Sequence, residues 1–333
     1  MIKHLISIVF YFSFCFTQWF TINYGNINRS YYVSYPNETP EPSGLIINMH
    51  GFGGSASSQT GTQMSNYAHP QNIAVVYPQG ANSNIGATSW NVGTFWDSND
   101  QDDVGFISAI IDEIAMNFDI DLNRVYACGM SNGGYMAYEL ACELSDKITA
   151  FGSVTGNFML NTNQECENER QIPIIHFHGT NDPTVDYYPP SFDQALTVNE
   201  SIDYWSEVNG FDLENYELLN TNVEIYTYFH ESSPATFTHY KVIGGQHEWF
   251  WNNWGFNASE ALVNFFLQYK LTDFINNELM GDLNEDENIN IQDVIITMNL
   301  VLSNEYNLLA DLNSDETINI LDIVQLINII LNN

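Results

Sequence analysis

Residues 128–134 read Cys-Gly-Met-Ser-Asn-Gly-Gly, a G-x-S-x-G pattern centred on Ser131, between a β-like run (124–128) and a helix-like run (135–144). Small residues on both sides let the backbone turn sharply from strand to helix and leave a serine hydroxyl exposed. Chance supplies such a pattern about once in ten chains of this length, so its context must decide. A serine hydroxyl is a weak nucleophile until a base removes its proton and an acid orients that base. Candidates follow in the chain order Ser, Asp, His. Asp182 stands in His178-Gly179-Thr180-Asn181-Asp182-Pro183 after an apolar run, and His247 in Gly244-Gly245-Gln246-His247-Glu248-Trp249 after another. His50, His69, His176 and His178 precede Asp182, and His230 and His239 fall near or within β-like runs, so hydrogen-bonded structural roles suit them better.

The tetrahedral oxyanion formed by attack on a carbonyl needs two donors. The loop Met49-His50-Gly51-Phe52-Gly53-Gly54 follows an apolar run and can supply the N–H of Phe52; Asn132, next after the serine, supplies the other. The loop lacks the G-K-[ST] ending of a phosphate-binding P-loop. Trp90 and Trp249 are expected to line the substrate pocket, while Phe250, Trp251 and Trp254 are expected to pack the last helix of the domain. Asp102 and Asp103, before a helical run, read as a helix cap.

These residues need strands that end at one edge. Between residues 21 and 269, β-like runs (31–34, 45–49, 74–77, 125–128, 151–154, 172–177, 224–229 and 238–243) alternate with helical ones (104–116, 135–144, 196–208 and 258–269). That order predicts an α/β fold with a mostly parallel sheet covered by helices on both faces. Both candidate loops would then sit at the carboxyl edge of the sheet.

The 333 residues carry a formal charge of −34, which disfavours nucleic acid and anionic membranes as partners. Lys3 and His4 before the apolar stretch 5–16 read as an export leader over residues 1–20, and no transmembrane segment is expected after its removal. Export permits disulfides. Cys15 leaves with the leader and Cys128 reads as a buried hydrophobe, so Cys142 and Cys166 are expected to pair.

The stretches 49–54, Ser89-Trp90-Asn91, 102–106, 129–134, 178–183 and 244–249 together resemble secreted α/β-hydrolase esterases of the polyhydroxybutyrate depolymerase-like or feruloyl esterase-like family. The resemblance extends over roughly residues 22–269. It implies Ser131 as nucleophile, His247 as base, Asp182 as its partner, and no cofactor for catalysis. One departure falls at Thr94-Phe95, where family members often carry adjacent cysteines, so the pocket loop is expected to differ. The expected substrate is a polymeric ester, with feruloyl or acetyl groups on polysaccharide ahead of polyhydroxybutyrate. A non-catalytic surface-binding protein on the same scaffold is the alternative of another class.

After the first domain (21–272) the composition changes. Asp282-Leu283-Asn284 recurs as Asp311-Leu312-Asn313, an offset of 29, and no Lys, Arg or His occurs after Lys270. Each repeat places oxygen-bearing side chains at positions 1, 3, 5, 7, 9 and 12 of a twelve-residue loop. These are Asp282, Asn284, Asp286, Asn288, Asn290 and Asp293, then Asp311, Asn313, Asp315, Thr317, Asn319 and Asp322. Many hard oxygens wrapped around one point suit calcium, here two ions. An apolar run follows each loop, so residues 279–333 read as a small all-α domain. Its tandem loops ending in Asp resemble dockerin modules, which implies a cohesin-type scaffold or cell-surface partner and an extracellular site of action. Glu287 and Glu316 replace the usual glycine at position 6.

Overall fold

The structure, a computed structural model, describes residues 16–36, 41–93, 101–159, 166, 168, 170–191, 195–274, 280–284, 286, 288–303, 306–313 and 317–332. Two compact units divide the chain, Met1–Leu271 and Thr272–Asn333.

The strands of the first unit are β1 (Phe16–Tyr24), β2 (Ile27–Tyr35), β3 (Ser43–Met49), β4 (Ile73–Pro78), β5 (Ala81–Asn82), β6 (Thr88–Ser89), β7 (Ile120–Met130), β8 (Ala150–Val154), β9 (Ile174–Gly179), β10 (Leu213–Asn220), β11 (Val223–Phe229) and β12 (Thr236–Val242). Its helices are α1 (Ala56–Gln59), α2 (Met64–Ala68), α3 (Asp103–Asn117), α4 (Asn132–Glu143), α5 (Val198–Asn209) and α6 (Ala258–Phe266). Among the described residues, ten strands form one sheet in the order β1-β2-β4-β3-β7-β8-β9-β12-β11-β10. The run from β4 to β12 is parallel, and the outer strands on either side are antiparallel. β3, β4, β8 and β9 are buried along their whole length, as strands covered on both faces must be. That is why they read as dense apolar runs rather than alternating ones.

Besides the two-residue strands β5 and β6, two longer strands escape the sequence reading. β10 is an edge strand exposed along nearly its whole length and so lacks a buried-face pattern. β1 overlaps the expected leader: residues 16–20 pair with residues 31–35 of β2, and Phe20 packs against the core. Residues 1–15, including Cys15, lie outside the described residues, as do Thr94 and Phe95.

Cys142 and Cys166 form a disulfide with Cα atoms 5.0 Å apart, and Cys128 is a buried free thiol. Asp102 caps α3 by accepting the Gly105 N–H at 2.7 Å. Asp103 does something else: it is buried and pairs with Arg29 from β2 at 2.5 Å.

In the second unit, α7 (Ile291–Ser303) and α8 (Ile320–Asn332) enclose a small core of Val294, Ile323 and Leu326, joined by Leu283 and Leu312 from the two loops. No helix among the described residues is long and apolar enough to cross a membrane.

Candidate active site and calcium loops

Ser131 sits at the junction of β7 and α4 with φ 53° and ψ −120°, a conformation that costs energy in any residue with a side chain and persists only where the surroundings impose it. Its N–H is held by the Val154 carbonyl at 2.8 Å. The flanking glycines are required by crowding. A Cβ on Gly129 would strike the backbone of Gly133, and one on Gly133 would strike the carbonyl of Met49. The candidate oxyanion loop after β3 therefore lies directly against the turn, and a Cβ on Gly51 would stand 3.3 Å from that of Ser131. As the first residue of α4, Asn132 has a backbone N–H with no acceptor inside the helix.

The candidate acid and base, Asp182 and His247, follow neighbouring parallel strands, β9 and β12. His247 Nδ1 lies 2.8 Å from Asp182 Oδ2. The other carboxylate oxygen, Oδ1, accepts the N–H groups of Thr184 and Val185 at 2.8 and 2.9 Å. Burial pushes the Asp182 carboxyl up, but the His247 hydrogen bond and charge, with the two backbone donors, outweigh it and hold it below the ordinary carboxylate range. The Asp182 side chain is fully buried, while that of His247 remains partly open to solvent. Backbone bonds lace the two turns together: Thr180 N–H to the Val242 carbonyl at 2.9 Å, and Asn181 N–H to that of Gly245 at 3.0 Å. Gly244 N–H adds a bond to Thr180 Oγ1 at 2.9 Å.

His50 shapes the 49–54 loop. It accepts the Gly80 N–H at Nε2 (2.9 Å), so its proton is on Nδ1, which donates to the Gly51 carbonyl at 2.8 Å. Burial pushes its pKa down to about 4, keeping it neutral. Phe52 projects from the same loop and is exposed.

Trp90 and Trp249 require correction. Trp90 is completely buried; its indole N–H donates to the His50 carbonyl at 2.8 Å. Trp249 is 5% exposed and donates to Ser259 Oγ of α6 at 3.1 Å. Both indoles pack and brace loops instead of offering a face to substrate. Phe250 is likewise buried. The sequence reading also missed the support behind Trp90. Asp103 accepts the Asn91 N–H at 2.7 Å, and the Arg29 guanidinium lies 3.6 Å from the centre of the Phe106 ring. Nothing in Arg29's neighbours along the chain signals that pairing.

In the second unit the two loops are built alike. Asp293 Oδ1 accepts the N–H of Leu283 and of Asn284, and its Oδ2 accepts that of Asn290. Asp322 does the same with Leu312, Asn313 and Asn319. Asp282, Asp293, Asp311 and Asp322 are buried. On the same loops Asn290, Asn313 and Asn319 are half-buried and Asn284, Asp286, Asn288 and Thr317 are exposed, while Asp315 lies outside the described residues. Among the described residues no three His, Cys, Asp or Glu side chains already converge as a metal cluster. Even so, buried carboxylates and amide oxygens are the donors a hard cation takes, and residues 272–333 contain no Lys, Arg or His to neutralise them. The residues present therefore fit calcium.

Both helices also expose an apolar stripe at helical spacing. Ile291, Ile295, Met298 and Leu302 of α7 correspond, 29 residues on, to Ile320, Val324, Ile327 and Leu331 of α8.

The phospholipase/carboxylesterase family matches residues 35–197, and the dockerin type I domain matches residues 280–331. The chain is 30% identical over 161 residues to a bifunctional acetylxylan esterase/xylanase of Neocallimastix patriciarum, covering 48% of this chain and 22% of that protein. It is 35% identical over 146 residues to feruloyl esterase B of Piromyces equi, covering 43% and 27%. The match thus spans about a quarter of the length of these relatives. Among solved structures, an acetyl xylan esterase from Aspergillus awamori superposes with a TM-score of 0.56 at 14% identity, over 75% of this chain and 99% of that one. A ferulic acid esterase from Anaeromyces mucronatus gives 0.50 at 16%, over 78% and 91%. These likenesses establish the α/β-hydrolase fold of the first unit, and the second is a dockerin type I module, a class that binds calcium.

Proposed function

We propose that this chain, an esterase-type α/β-hydrolase domain joined to a dockerin type I module, is an exported serine carboxylesterase acting on feruloyl or acetyl esters of polysaccharide. The observation that carries the reading is the 2.8 Å contact of His247 Nδ1 with buried Asp182, at the same sheet edge as the strained Ser131 turn.

Ser131 Oγ attacks the ester carbonyl while His247 Nε2 accepts its proton, and the N–H groups of Asn132 and Phe52 receive the oxyanion. The alcohol leaves with the proton from His247. Water, activated by the same imidazole, then releases the acid. Asp182 stays ionised throughout and holds the His247 Nδ1–H, fixing the tautomer that leaves Nε2 free as base.

The substrate class is supported by the acetylxylan and feruloyl esterases that the chain resembles, and by a docking module suited to keeping an enzyme beside an insoluble polymer. Two calcium ions, held by the loops that begin at Asp282 and Asp311, would fix the relation of each loop to its helix. The exposed stripes of α7 and α8 would meet a cohesin-type partner. Assaying the purified chain on methyl ferulate, acetylated xylan and polyhydroxybutyrate tests the reading. It predicts turnover of one of the first two and little of the third; turnover of polyhydroxybutyrate alone would overturn the substrate class.

A further inference from the structure

Three histidines lie behind the acid turn and take no part in the steps above. His176, His178 and His239 are fully buried, and burial pushes each below its ordinary pKa. Neutral imidazoles have one donor and one acceptor nitrogen, so their partners fix the tautomers.

We propose that Tyr138, His176 and His178 form a directional hydrogen-bonded line that positions the Asp182 turn relative to the helix carrying the nucleophile, with His178 as the positioning residue. His178 Nε2 lies 2.8 Å from the Val185 carbonyl, which can only accept, so the proton is on Nε2. Its Nδ1 must then accept, and His176 Nε2 donates to it at 3.0 Å. His176 Nδ1 accepts in turn from the Tyr138 hydroxyl at 2.6 Å. The line ends on the residue that steadies the acid, because Val185, whose carbonyl accepts from His178, donates its own N–H to Asp182 Oδ1 at 2.9 Å. His178 Nε2 itself stands 3.6 Å from Asp182 Oδ2, the oxygen that holds His247. Tyr138 lies two helical turns beyond Ser131 on α4.

A second line supports the first. The His239 proton is on Nδ1, which donates to the His176 carbonyl at 3.2 Å, and its Nε2 accepts the Tyr187 hydroxyl at 2.9 Å. The helix that follows Ser131 and the turn that carries Asp182 are therefore joined through buried, satisfied polar groups of one consistent polarity. Such networks specify one arrangement when complete and are costly when a member is lost.

The inference rests on the esterase reading and concerns how its acid is held. The test uses the full chain with p-nitrophenyl acetate and the variants Tyr138→Phe, His178→Phe, His178→Gln and Ser131→Ala. The line predicts that His178→Phe lowers kcat about 100-fold with KM within about twofold, because a shifted acid misplaces the base without touching substrate. His178→Gln keeps an N–H near the Nε2 position and is expected to recover most of that loss. The isosteric Tyr138→Phe should lower kcat roughly fivefold, the worth of one hydrogen bond. Wild-type kcat in Tyr138→Phe and His178→Phe would overturn the proposal, as would a His178→Gln variant no better than His178→Phe. If His178→Phe does not fold, Tyr138→Phe decides alone. A wild type no faster than Ser131→Ala would sink the esterase reading itself. Nitrogen-15 spectra of the histidine rings test the line apart from activity: both His176 and His178 should carry the proton on Nε2, and any other pair of tautomers contradicts it.

Discussion

Asn132 holds Trp90 from both sides. Its Oδ1 accepts the Trp90 N–H at 2.7 Å, and its Nδ2 donates to the Trp90 carbonyl at 3.2 Å. The residue after the nucleophile thus has two separate duties. In the proposed mechanism its backbone N–H would receive the oxyanion, while its buried side chain fastens the loop whose indole supports His50.

Asn132→Ala keeps the backbone donor and removes the clamp. It leaves the N–H and carbonyl of Trp90 buried without these partners, which costs about 1–3 kcal/mol per group. Urea unfolding should show a loss of about 2–6 kcal/mol for the two groups together, and kcat should fall with it as the His50 loop relaxes. Stability within about 0.5 kcal/mol of wild type would remove the clamp from the account.

Acid should destabilise the first unit in a defined window. Burial lowers His50 and His178 to about 4 and His239 to about 3, against about 6.5 when unfolded. A lowered folded pKa means the unfolded chain binds protons first as pH falls. Their stabilising contribution is therefore complete above about pH 6.5 and drains away toward pH 4, at roughly 1.4 kcal/mol per pH unit for each histidine. Denaturant midpoints measured from pH 7.5 to 4.5 should drop steadily below about 6.5. A flat profile would contradict three buried neutral imidazoles.

The disulfide between Cys142 and Cys166 closes a loop with a sequence separation of 24. Restricting the unfolded chain by a loop of that size is worth about 3 kcal/mol. Unfolding curves with and without reductant, or of Cys142→Ser, should differ by about that much. A thiol count of zero for these two residues before reduction is expected as well.

Calcium removal should act on the second unit alone. Treating the full chain with a chelator should reduce the far-ultraviolet helical signal of α7 and α8 while the rate on a small soluble ester stays unchanged. Calorimetry is expected to find two ions per chain, and Asp293→Asn to lose one of them. An unaltered spectrum together with no heat of calcium binding would defeat the assignment of these loops.

Most of the candidate site is legible in the chain because its parts are local. The elbow, the Gly-rich candidate oxyanion loop and the two turns each hold their residues within six or seven positions, and parallel strand order brings them to one edge. What could not be read depends on depth and distant pairing. Trp90 and Trp249 have the composition of a sugar-binding rim, but burial gives them bracing roles that no neighbour in sequence announces. Arg29 meets Asp103 only because β2 and the start of α3 come together in space. Alternating His176 and His178 on β9 look the same whether their face is wet or dry. β1 begins inside the expected leader, residues 1–20, so its first residues carry no strand expectation.

The most direct test of the central claim is covalent labelling. Wild-type chain incubated with a fluorophosphonate should gain one phosphonyl group, located by peptide mass spectrometry on Ser131, with ester hydrolysis lost in proportion. Ser131→Ala should neither label nor hydrolyse p-nitrophenyl acetate above the residual that oxyanion donors alone provide. Hydrolysis by Ser131→Ala at the wild-type rate, or labelling at another residue with activity abolished, would contradict the account.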